Sequence, residues 1–442
     1  MTMNSELAAV VMAGGLGTRM KSETPKHQHG LLGRRVVDWV LDAAAAAGSD
    51  PLVVVASPET KDAYDGATVA IQKQPLGTGD AVAAARQALN GFAGPVLVLD
   101  AAAPLLTPEL LRELVEEHRR QDAAVTLLTF EPEFPLPYGR ILRDESGAVR
   151  AVVEERDATS EEREVRELNT SIYVFDAAAL WNALAGLEAA NAQDELYLTD
   201  TIAHIVDAGG RAAAHRSSDP LAPLGINNRV ELAVAAAALR DRINERHMLA
   251  GTTIVDPATT WIDAGVELEP DVVIHPFTVL RGSTTVARGA EIGPHVVAWD
   301  STIGLGALVG PFCYLRPGTV LGAHSKAGTF VEVKNSSLGE GAKVPHLSYI
   351  GDAEIGDETN IGAGNITANL PPHPGSEKER TKVGRNVKTS IHTSFIAPVE
   401  IGDNSWTAAG SVITEDVPPD SLAGFPPRQV TKEGYVRRNR DD

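Results

Sequence analysis

The stretch from Ser301 to Val333 reads STIGLGALVGPFCYLRPGTVLGAHSKAGTFVEV, and aliphatic residues recur in it at every sixth position. The positions concerned are Ile303, Val309, Leu315, Leu321, Ala327 and Val333. In a hexapeptide solenoid each six-residue step forms one short strand and a turn, so side chains at one fixed position stack on their equivalents in neighbouring coils. The spacing therefore predicts a hexapeptide-repeat solenoid rather than a chance series of aliphatic residues in loops.

The same texture extends on both sides of this stretch. Steps in which an aliphatic residue precedes glycine run from Ile292-Gly293 to Ile401-Gly402. Three steps make one coil of about 18 residues. Residues 252–418, without the irregular stretch 370–381, therefore provide about eight to nine coils.

The first half of the chain has a different pattern, in which short apolar runs alternate with helical stretches. Strands are predicted at Leu7–Met12, Leu52–Val55 and Val96–Leu99, and helices near Val36–Ala47 and Asp80–Leu89. Repeated strand and helix units of this kind form a largely parallel sheet covered by helices. We therefore expect a Rossmann-like α/β domain.

A single long helix is predicted between the two halves. Residues 228–250 carry apolar side chains at helical spacing, contain no proline and are followed by Gly251. The tail is rich in proline after Asp416 and is expected to be extended, with Pro418, Pro419, Pro426 and Pro427. The expected organisation is a first domain at 5–227, a linker helix at 228–251, the solenoid at 252–418 and a C-terminal tail at 419–442.

Composition narrows the classes of partner. The chain has 442 residues, with 39 basic and 59 acidic side chains and a formal net charge of −20. This charge repels nucleic-acid backbones and anionic lipid, so neither partner is expected. No apolar run reaches the roughly 18 residues of a membrane span, and Met1–Glu6 lacks the charged region of a signal peptide. Cys313 is the only cysteine and cannot form an intrachain disulfide, so a cytoplasmic protein is expected.

A glycine-rich loop follows the first predicted strand. It reads Gly14-Gly15-Leu16-Gly17-Thr18-Arg19-Met20, and Pro25-Lys26 comes shortly after it. Glycines allow a close approach of the backbone to phosphate, while backbone N–H groups and the two cations supply donors and positive charge. The loop favours a nucleotide-phosphate site over an ordinary turn between a strand and a helix.

With these motifs the sequence resembles the nucleotidyltransferases that join a sugar 1-phosphate to a nucleoside triphosphate. More narrowly, essentially the whole chain is similar to the family of bifunctional N-acetylglucosamine-1-phosphate uridylyltransferases / glucosamine-1-phosphate N-acetyltransferases. The further matching motifs of the first half are Leu76-Gly77-Thr78-Gly79, Tyr138-Gly139-Arg140, Val153-Glu154, Leu168-Asn169-Thr170, Tyr197-Leu198-Thr199-Asp200 and Gly225-Ile226-Asn227. The matching motifs of the second half are Tyr314–Gly318, Val331–Ser336, His346–Ala353 and Asn360–Gly364.

The resemblance implies a nucleotide and sugar site in the first domain, in which Arg19 and Lys26 brace the triphosphate during catalysis. The other residues implied are Met12, Ala13, Gly14 and Gly15 along the nucleotide, Gln72, Gly77 and Thr78 at the uracil, and Gly139, Glu154, Asn169 and Asn227 at the sugar and metal. An amide side chain suits uracil because its paired donor and acceptor match the edge of the base. Taken singly, Gln72 is also consistent with a surface strand position, and Glu154 and Asn169 with polar loop residues.

One departure concerns the metal. The family has an Asp in a Gly-Asp-Val-Pro-Leu-Leu type segment that binds Mg²⁺ together with the residue matching Asn227, but here the segment gives Ala102. Alanine cannot ligate magnesium, and a bound divalent cation stabilises the transition state by several kcal/mol. The sequence therefore predicts an impaired uridylyl step. The alternative left open is a partial substitution by Asp100, two residues earlier on the same face of the strand.

The resemblance places an acetyl-transfer site in the solenoid, with His346 as the base. Transfer from a thioester to an amine requires an unprotonated amine, and imidazole suits that task. The implied ligands of the acceptor sugar phosphate are Arg316, Lys334, Tyr349, Asn360 and Asn369, with Asn369 orienting the amine. Ala363, Ala409 and Lys432 would contact acetyl-CoA, the cosubstrate. The open alternatives are a solvated Lys334, an Arg316 in a surface ion pair and an ordinary loop histidine.

Two further departures fall in this half. The family's Asn-Tyr-Asp-Gly segment becomes Asn369-Leu370-Pro371-Pro372, with a longer loop through Arg380, and a serine becomes Ile391. Both weaken the case for tight coenzyme binding. Cys313 is expected to be a buried packing residue, since no motif places a base beside it.

The resemblance also implies a left-handed solenoid, which periodicity alone does not supply because parallel crossovers are normally right-handed. It further implies a homotrimer with acetyl-transfer sites completed between chains. The leading hypothesis is a two-step enzyme of UDP-N-acetylglucosamine and cell-wall precursor synthesis, acting on glucosamine 1-phosphate, acetyl-CoA and UTP. The alternatives are an acetyltransferase whose first domain binds nucleotide without turnover, and a non-catalytic trimeric scaffold.

Overall fold

The computed structural model describes residues 7–15, 17–64, 66–133, 136–370, 375–424, 429–433 and 435–438. The chain divides into two compact units, Met1–Leu239 and Arg240–Asp442. None of the described helices is long and apolar enough to cross a membrane.

The first unit is built on one mixed sheet. In chain order its strands are β1 (Ala8–Ala13), β2 (Gly30–Leu31), β3 (Arg34–Arg35), β4 (Leu52–Ala56), β5 (Thr68–Ile71), β6 (Pro95–Asp100), β7 (Val125–Phe130), β8 (Arg140–Arg143), β9 (Val149–Val153), β10 (Leu168–Asp176) and β11 (Ala212–Arg216). The main sheet has the order β11-β7-β10-β6-β1-β4-β5, with the hairpin β8–β9 attached to β10 and β2–β3 forming a separate pair. All pairs along the main order are parallel except those of β10, which runs antiparallel to β6 and β7.

Helices cover both faces of this sheet. The helices of the chain are α1 (Val36–Ala46), α2 (Thr78–Ala84), α3 (Pro108–Arg120), α4 (Ser160–Arg163), α5 (Ala177–Leu184), α6 (Asp200–Asp207), α7 (Arg229–Leu249) and α8 (Tyr435–Arg438). Alternate residues of β1 enter different cores: Ala8 and Val10 pack with α2, α5 and α6, while Ala9 and Val11 pack with α1 and α3. Burial of both faces explains why the strands read as unbroken apolar runs.

The strands and helices predicted from the sequence are all present, with ends that move by one to several residues. The largest difference is at α2, which is predicted near Asp80–Leu89 and observed at Thr78–Ala84. The three-layer arrangement confirms the predicted α/β class of this half.

The boundary between the two compact units falls within α7, and the solenoid begins at the end of this helix. Asn244, on the last turns of α7, is fully buried, and its amide donates hydrogen bonds of 3.0 Å to the carbonyls of Pro257 and Thr260. The side chain of Arg240 stacks on Trp261, with the guanidinium carbon 5.0 Å from the ring centroid. These contacts fix the first coil against the helix.

The solenoid has three faces, each a ladder of parallel strands. The first face contains Thr253–Ile254, Val273–Ile274, Glu291–Ile292, Leu308–Val309, Lys326–Thr329 and Lys343–His346, extended by bridges at Asn360 and Lys388 to Trp406–Thr407 and Leu422–Ala423. The second face contains Trp261–Ile262, Val279–Arg281, Val296–Trp299, Cys313–Leu315, Glu332–Lys334, Tyr349–Gly351, Ile366–Ala368, Ser394–Ile396 and Val412–Ile413. The third face contains Glu267–Leu268, Thr285–Val286, Thr302–Ile303, Val320–Leu321, Ser337–Leu338, Ala353–Ile355, Thr381–Val383 and Val399–Ile401.

The residues spaced by six in the sequence form the core columns of this solenoid. Val309 pairs with Ala327 on the first face, Leu315 with Val333 on the second and Ile303 with Leu321 on the third. All six side chains are buried. Glycine after the aliphatic residue is needed because the next coil passes close: a Cβ on Gly304 would lie 2.7 Å from the carbonyl oxygen of Leu321.

The fold class is thereby confirmed as a left-handed parallel β-helix after the α/β domain. In the described residues the second face has nine strands, in line with the predicted eight to nine coils. Cys313 is buried in the core of this face, as predicted.

The tail differs from the extended segment expected. Its Leu422–Ala423 strand adds to the solenoid, and Tyr435–Arg438 forms a single helical turn. Pro426, Pro427, Met1–Glu6, Leu16, Pro371 and Pro372 lie outside the described residues. Proline disfavours helix only at its own position and just before it, so the Tyr-Val-Arg-Arg stretch farther along is free to form a helical turn.

The core columns give a prediction for stability. Leu321 is 1% exposed, whereas its neighbour Val320 points outward and is 45% exposed. Leu321→Ala should lower the free energy of unfolding of the solenoid by about 2–5 kcal/mol, because a buried cavity replaces the side chain. Urea unfolding followed by circular dichroism measures this change. Val320→Ala is the matched control and should stay within about 0.5 kcal/mol of the unmutated chain; equal effects of the two changes would contradict the assignment of the core column.

His27 in the first unit gives a second prediction. Its side chain is 1% exposed, and Nε2 has no hydrogen-bond partner among the described residues. Burial, reinforced by the charge of Lys26, lowers the pKa of His27 to about 4. In the unfolded chain the pKa is about 6.5. The native state therefore excludes a proton that the unfolded state binds, and stability that is complete above pH 6.5 is lost as the pH falls toward 4.

His27→Leu should flatten the loss of stability of the first unit between pH 6.5 and pH 4, by up to about 3 kcal/mol at the acid end. Denaturant unfolding at a series of pH values measures the slope. The control is His204→Leu at an exposed position of the same unit, which should leave the slope unchanged. An unchanged slope in His27→Leu would show that another group carries the acid sensitivity.

Candidate active sites

A cavity of about 410 Å³ opens at the edge of the first-unit sheet where β1 and β6 end. Ligand sites in open α/β sheets lie at this carboxyl edge of the strands. Six of the predicted site residues line the cavity: Arg19, Lys26, Gly139, Glu154, Asn169 and Asn227. The structure therefore gathers residues that are up to about 200 positions apart in the sequence.

Two glycines of the loop after β1 allow other side chains to pack closely against the backbone. Gly17 has a left-handed backbone with φ of 63°, and a Cβ there would lie 2.8 Å from Cβ of Lys26. A Cβ on Gly14 would lie 2.4 Å from the side-chain oxygen of Gln72. The loop thus holds Lys26 on one side and Gln72 on the other.

Gln72 is buried, with 6% of its surface exposed, so it does not occupy a surface strand position. Its amide nitrogen donates hydrogen bonds of 3.0 Å to the carbonyl of Gly77 and to a carboxylate oxygen of Asp80. The amide is therefore fixed in orientation beside Gly14. Both N–H donors of this amide are used within the protein, so its oxygen at the loop is the atom left to accept a hydrogen bond from a base.

Arg19 and Lys26 are each held at the cavity by a polar contact with another residue that lines it. Arg19 Nη2 donates a hydrogen bond of 2.9 Å to Oδ1 of Asn227, and Nζ of Lys26 lies 3.3 Å from Oδ2 of Asp100. The side chains of Lys26 and Asp100 are 17% and 25% exposed. Both cations are thus placed at the cavity, where they can meet phosphate.

The opposite side of the cavity has the groups expected for a sugar. Glu154 accepts a hydrogen bond of 3.1 Å from the hydroxyl of Thr199, and burial raises the pKa of the Glu154 carboxyl. Asn169 is 2% exposed within β10, and its amide donates to the hydroxyl of Tyr173 at 2.8 Å. Burial also raises the pKa of Tyr138 to about 12. Thr199 was missed as a site residue, although its motif was among those matched.

The remaining predicted nucleotide residues do not line this cavity. Met12 and Ala13 lie within β1, where Ala13 is 1% exposed and offers only its backbone. Gly77 has φ of 121° and packs against the backbone of Leu196, and Thr78 Oγ1 accepts from the N–H of Leu198. Gly15 is exposed. These residues adjoin Gln72 or the loop, so their roles in nucleotide binding stay predictions.

Ala102 has no access to the cavity. It is fully buried, and its side chain belongs to an apolar cluster that includes Met20, Leu105 and Ile226. Its carbonyl accepts a hydrogen bond of 2.7 Å from the N–H of Ile226. Position 102 therefore supplies packing in this chain and no metal ligand.

In the solenoid, the predicted sugar-phosphate ligands Arg316, Lys334 and Tyr349 lie on the second face. Arg316 directly follows one strand and Lys334 ends the next, so the two cations occupy adjacent coils. Arg316 also forms an ion pair of 2.9 Å with Glu332, as the alternative interpretation of this residue expected. The ring of Tyr349 covers Gly351, where a Cβ would collide with the phenol.

Asp352 holds the side chains of two asparagines in the coils on either side of it. It is 4% exposed and accepts hydrogen bonds from the amides of Asn335 and Asn369. Burial alone would raise the pKa of the Asp352 carboxyl, but these two hydrogen bonds and the charges of Lys334 and Lys378 outweigh it and lower the pKa. Asn369 is thereby fixed within the group of second-face ligands, although it directly precedes the departure at Leu370.

Lys378 is a site residue that sequence reasoning missed. A side-chain contact with Lys378 lowers the pKa of Lys334. The loop that carries Lys378 is fixed by a hydrogen bond of 2.9 Å from the N–H of Glu379 to the carbonyl of Asn369, and by an ion pair of 3.3 Å between Arg380 and Glu354. Two adjacent ammonium groups repel one another unless an anion joins them. The sequence signal is that Lys378 lies in the loop that departs from the family pattern between Asn369 and Arg380.

His346 ends a strand of the first face at the corner that leads to the second face. Along this corner Ala363, Ile391 and Ala409 follow in successive coils, since Gly364 donates to the carbonyl of His346, His392 to that of Ala363 and Gly410 to that of Ile391. The imidazole and the predicted acetyl-CoA residues Ala363 and Ala409 are therefore aligned on one edge. Ile391, a departure from the family pattern, is 51% exposed between them.

Two predicted residues lie apart from this edge. Asn360 is on the first face, where it bridges Lys343 and Lys388 and lines a shallow cavity of about 530 Å³. Lys432 lies in the tail, with its ammonium 6.0 Å from the ring centroid of Tyr435. Their roles at the acetyl-transfer site stay predictions.

Comparison with known proteins gives a consistent result. The MobA-like NTP transferase domain family matches residues 9–172. A bifunctional protein GlmU from Corynebacterium aurimucosum is 44% identical to this chain and covers 98% of it, with 94% of that protein aligned. GlmU proteins from Mycobacterium bovis and Caldanaerobacter subterraneus are 46% and 44% identical over 100% and 98% of this chain, with 94% and 98% of their own lengths aligned. The chain therefore belongs to the family of bifunctional GlmU proteins.

Proposed function

We propose that the chain carries out both steps from glucosamine 1-phosphate to UDP-N-acetylglucosamine, with acetyl transfer at the solenoid and uridylyl transfer at the first-unit cavity. The carrying observation is the alignment of His346 with Ala363 and Ala409 on one edge, together with three cations that lie close to one another: Arg316 and Lys334 of the second face and Lys378 of the loop that follows Asn369. This acetyl transfer requires a base, a surface that binds acetyl-CoA and a site for the phosphate of the sugar.

In the acetyl-transfer step, Arg316, Lys334 and Lys378 bind the phosphate of the sugar. His346 takes a proton from the amine as its nitrogen attacks the thioester carbon of acetyl-CoA. The new N–C bond forms, the C–S bond breaks, and the proton passes to the departing thiolate or to solvent. The repulsion between Lys334 and Lys378 is relieved when the phosphate dianion arrives, which favours the phosphorylated sugar over glucosamine itself.

In the uridylyl step, an oxygen of N-acetylglucosamine 1-phosphate attacks the α-phosphorus of UTP. The bond to the β-phosphate breaks and pyrophosphate leaves. Arg19 and Lys26 neutralise charge on the triphosphate, Gln72 orients the base, and Glu154 with Asn169 holds the sugar. Magnesium, when bound, would neutralise charge shared between the two phosphate groups, with Asn227 as one oxygen ligand.

A trimer completes the proposal, because the edge that carries His346 is an exposed surface. In the coils that precede His346, the same corner carries four stacked rings, with neighbouring ring centroids 4.7–5.2 Å apart. They belong to Phe277, His295, Phe312 and Phe330. Phe330 and Leu347 are 56% and 63% exposed. A continuous apolar edge of this kind is typical of an interface, and a second chain against it would supply the missing wall of the acetyl-transfer site.

Sedimentation velocity tests the trimer, for which the expected mass is about 140 kDa, three times the 46.7 kDa of one chain. Phe330→Glu places a charge on the apolar edge and should shift the protein toward monomers. Val320→Glu, on the third face, is the control and should leave the trimer intact. A monomeric unmutated protein at micromolar concentration would contradict the trimer.

His346→Ala tests the base. Thiol release from acetyl-CoA should fall by a factor of about 10² to 10⁴, while pyrophosphate release from UTP and N-acetylglucosamine 1-phosphate should be unchanged. His324→Ala, at another exposed turn of the solenoid, is the matched control and should affect neither reaction. Retention of acetyl transfer in His346→Ala would assign the base to another group.

A further inference from the structure

Three carboxylates line the first-unit cavity, and two of them are already engaged. Glu154 is bonded to Thr199 on the sugar side. Glu231 accepts hydrogen bonds of 2.7 Å from the backbone N–H of Asn227 and from the amide of Asn228, at the start of α7. Asp100 is the third, and it lies on the side of the cavity where the cations lie.

The position of the Asp100 carboxylate is fixed by the backbone. One of its oxygens, Oδ1, accepts a hydrogen bond of 2.9 Å from the N–H of Ala102. The other, Oδ2, is left for the cavity and lies 3.3 Å from Nζ of Lys26. Gly225 lies beside the same oxygen, since a Cβ there would be 3.5 Å from Oδ2, and Asn227 follows two residues later.

The ion pair with Lys26 compensates the negative charge of Asp100 only while no phosphate is bound. When Lys26 binds the triphosphate, Asp100 faces anionic oxygens, and like charges a few ångströms apart in a partly buried site repel strongly. A divalent cation between the carboxylate and the phosphates turns this repulsion into attraction. A cation is therefore needed beside Asp100 only when the nucleotide is bound.

The available donors suit magnesium. This ion is commonly held by one or two carboxylates, substrate phosphates and water, without an all-protein cage. No group of three or more acidic, histidine or cysteine side chains that could hold a metal occurs among the described residues. One carboxylate oxygen of Asp100 and the amide oxygen of Asn227, which now accepts from Arg19, supply hard oxygen ligands on the phosphate side.

We propose that Asp100 is the carboxylate that holds magnesium at the uridylyl-transfer site, together with Asn227, and that position 102 takes no part. The inference rests on the proposed uridylyl function. It replaces the expectation that the uridylyl step is impaired, because the required charge is present two residues earlier on the strand.

Metal-dependent nucleotide binding tests the assignment without relying on turnover. UTP affinity is measured by isothermal titration with and without Mn²⁺, and bound Mn²⁺ is counted by electron paramagnetic resonance, for the full chain and for Asp100→Asn. Asparagine keeps the acceptor for the Ala102 N–H and removes only the charge. Asp62→Asn, at an exposed position of the same unit, is the matched control.

In the unmutated chain and in Asp62→Asn, Mn²⁺ should tighten UTP binding at least tenfold. In Asp100→Asn this gain should be lost, while metal-free UTP binding is equal or tighter because a negative charge near the phosphates is gone. An undiminished gain in Asp100→Asn, or no gain in the unmutated chain despite UTP binding, would overturn the inference and leave the proposed function in place. No UTP binding under either condition would overturn the proposed function and the inference with it.

Discussion

The structure depends on the stacking of successive coils at a spacing of 17 or 18 residues. Ile274 pairs with Ile292, and Ile292 with Val309, so one apolar column runs up the first face. Each buried aliphatic side chain contributes about 1.5–3 kcal/mol. The column exists only if the strands of successive coils stay in register, so extra residues are accommodated in loops at the corners. The same constraint fixes the position along the solenoid axis of each side chain that points outward.

That constraint also brings together the residues proposed for the acetyl-transfer site. Residues one coil apart in the chain become neighbours about 4.8 Å apart on the surface, so short motifs far apart in sequence form one continuous edge. Arg316 and Lys334 are adjacent for this reason, as are His346 and Ala363. The spatial grouping of these residues is thus a direct consequence of the repeat, and the loop with Lys378 is an insertion that the repeat tolerates at a corner.

The sequence predicted the parts of the molecule that follow from periodicity. The six spaced residues of the solenoid lie in its core, and the strands of the first unit lie close to the predicted ranges. Periodicity does not show where a side chain points at the end of a strand: Asp100 and Ala102 share one strand end, yet only Asp100 reaches the cavity. It also misses contacts made by loops, such as that of Lys378 with Lys334, because their geometry depends on distant anchors. Burial of Gln72 depends on packing against Gly14, which no local pattern encodes.

The central claim is that one kind of polypeptide supplies the catalytic residues for both reactions. The most direct measurement follows both reactions on a single purified sample: thiol release from acetyl-CoA with glucosamine 1-phosphate, and pyrophosphate release from UTP with N-acetylglucosamine 1-phosphate and magnesium. Turnover is expected in both reactions. Thiol release without pyrophosphate release would leave an acetyltransferase with a silent nucleotide domain, and the absence of both would leave a scaffold. Either result would show that this protein does not catalyse both steps.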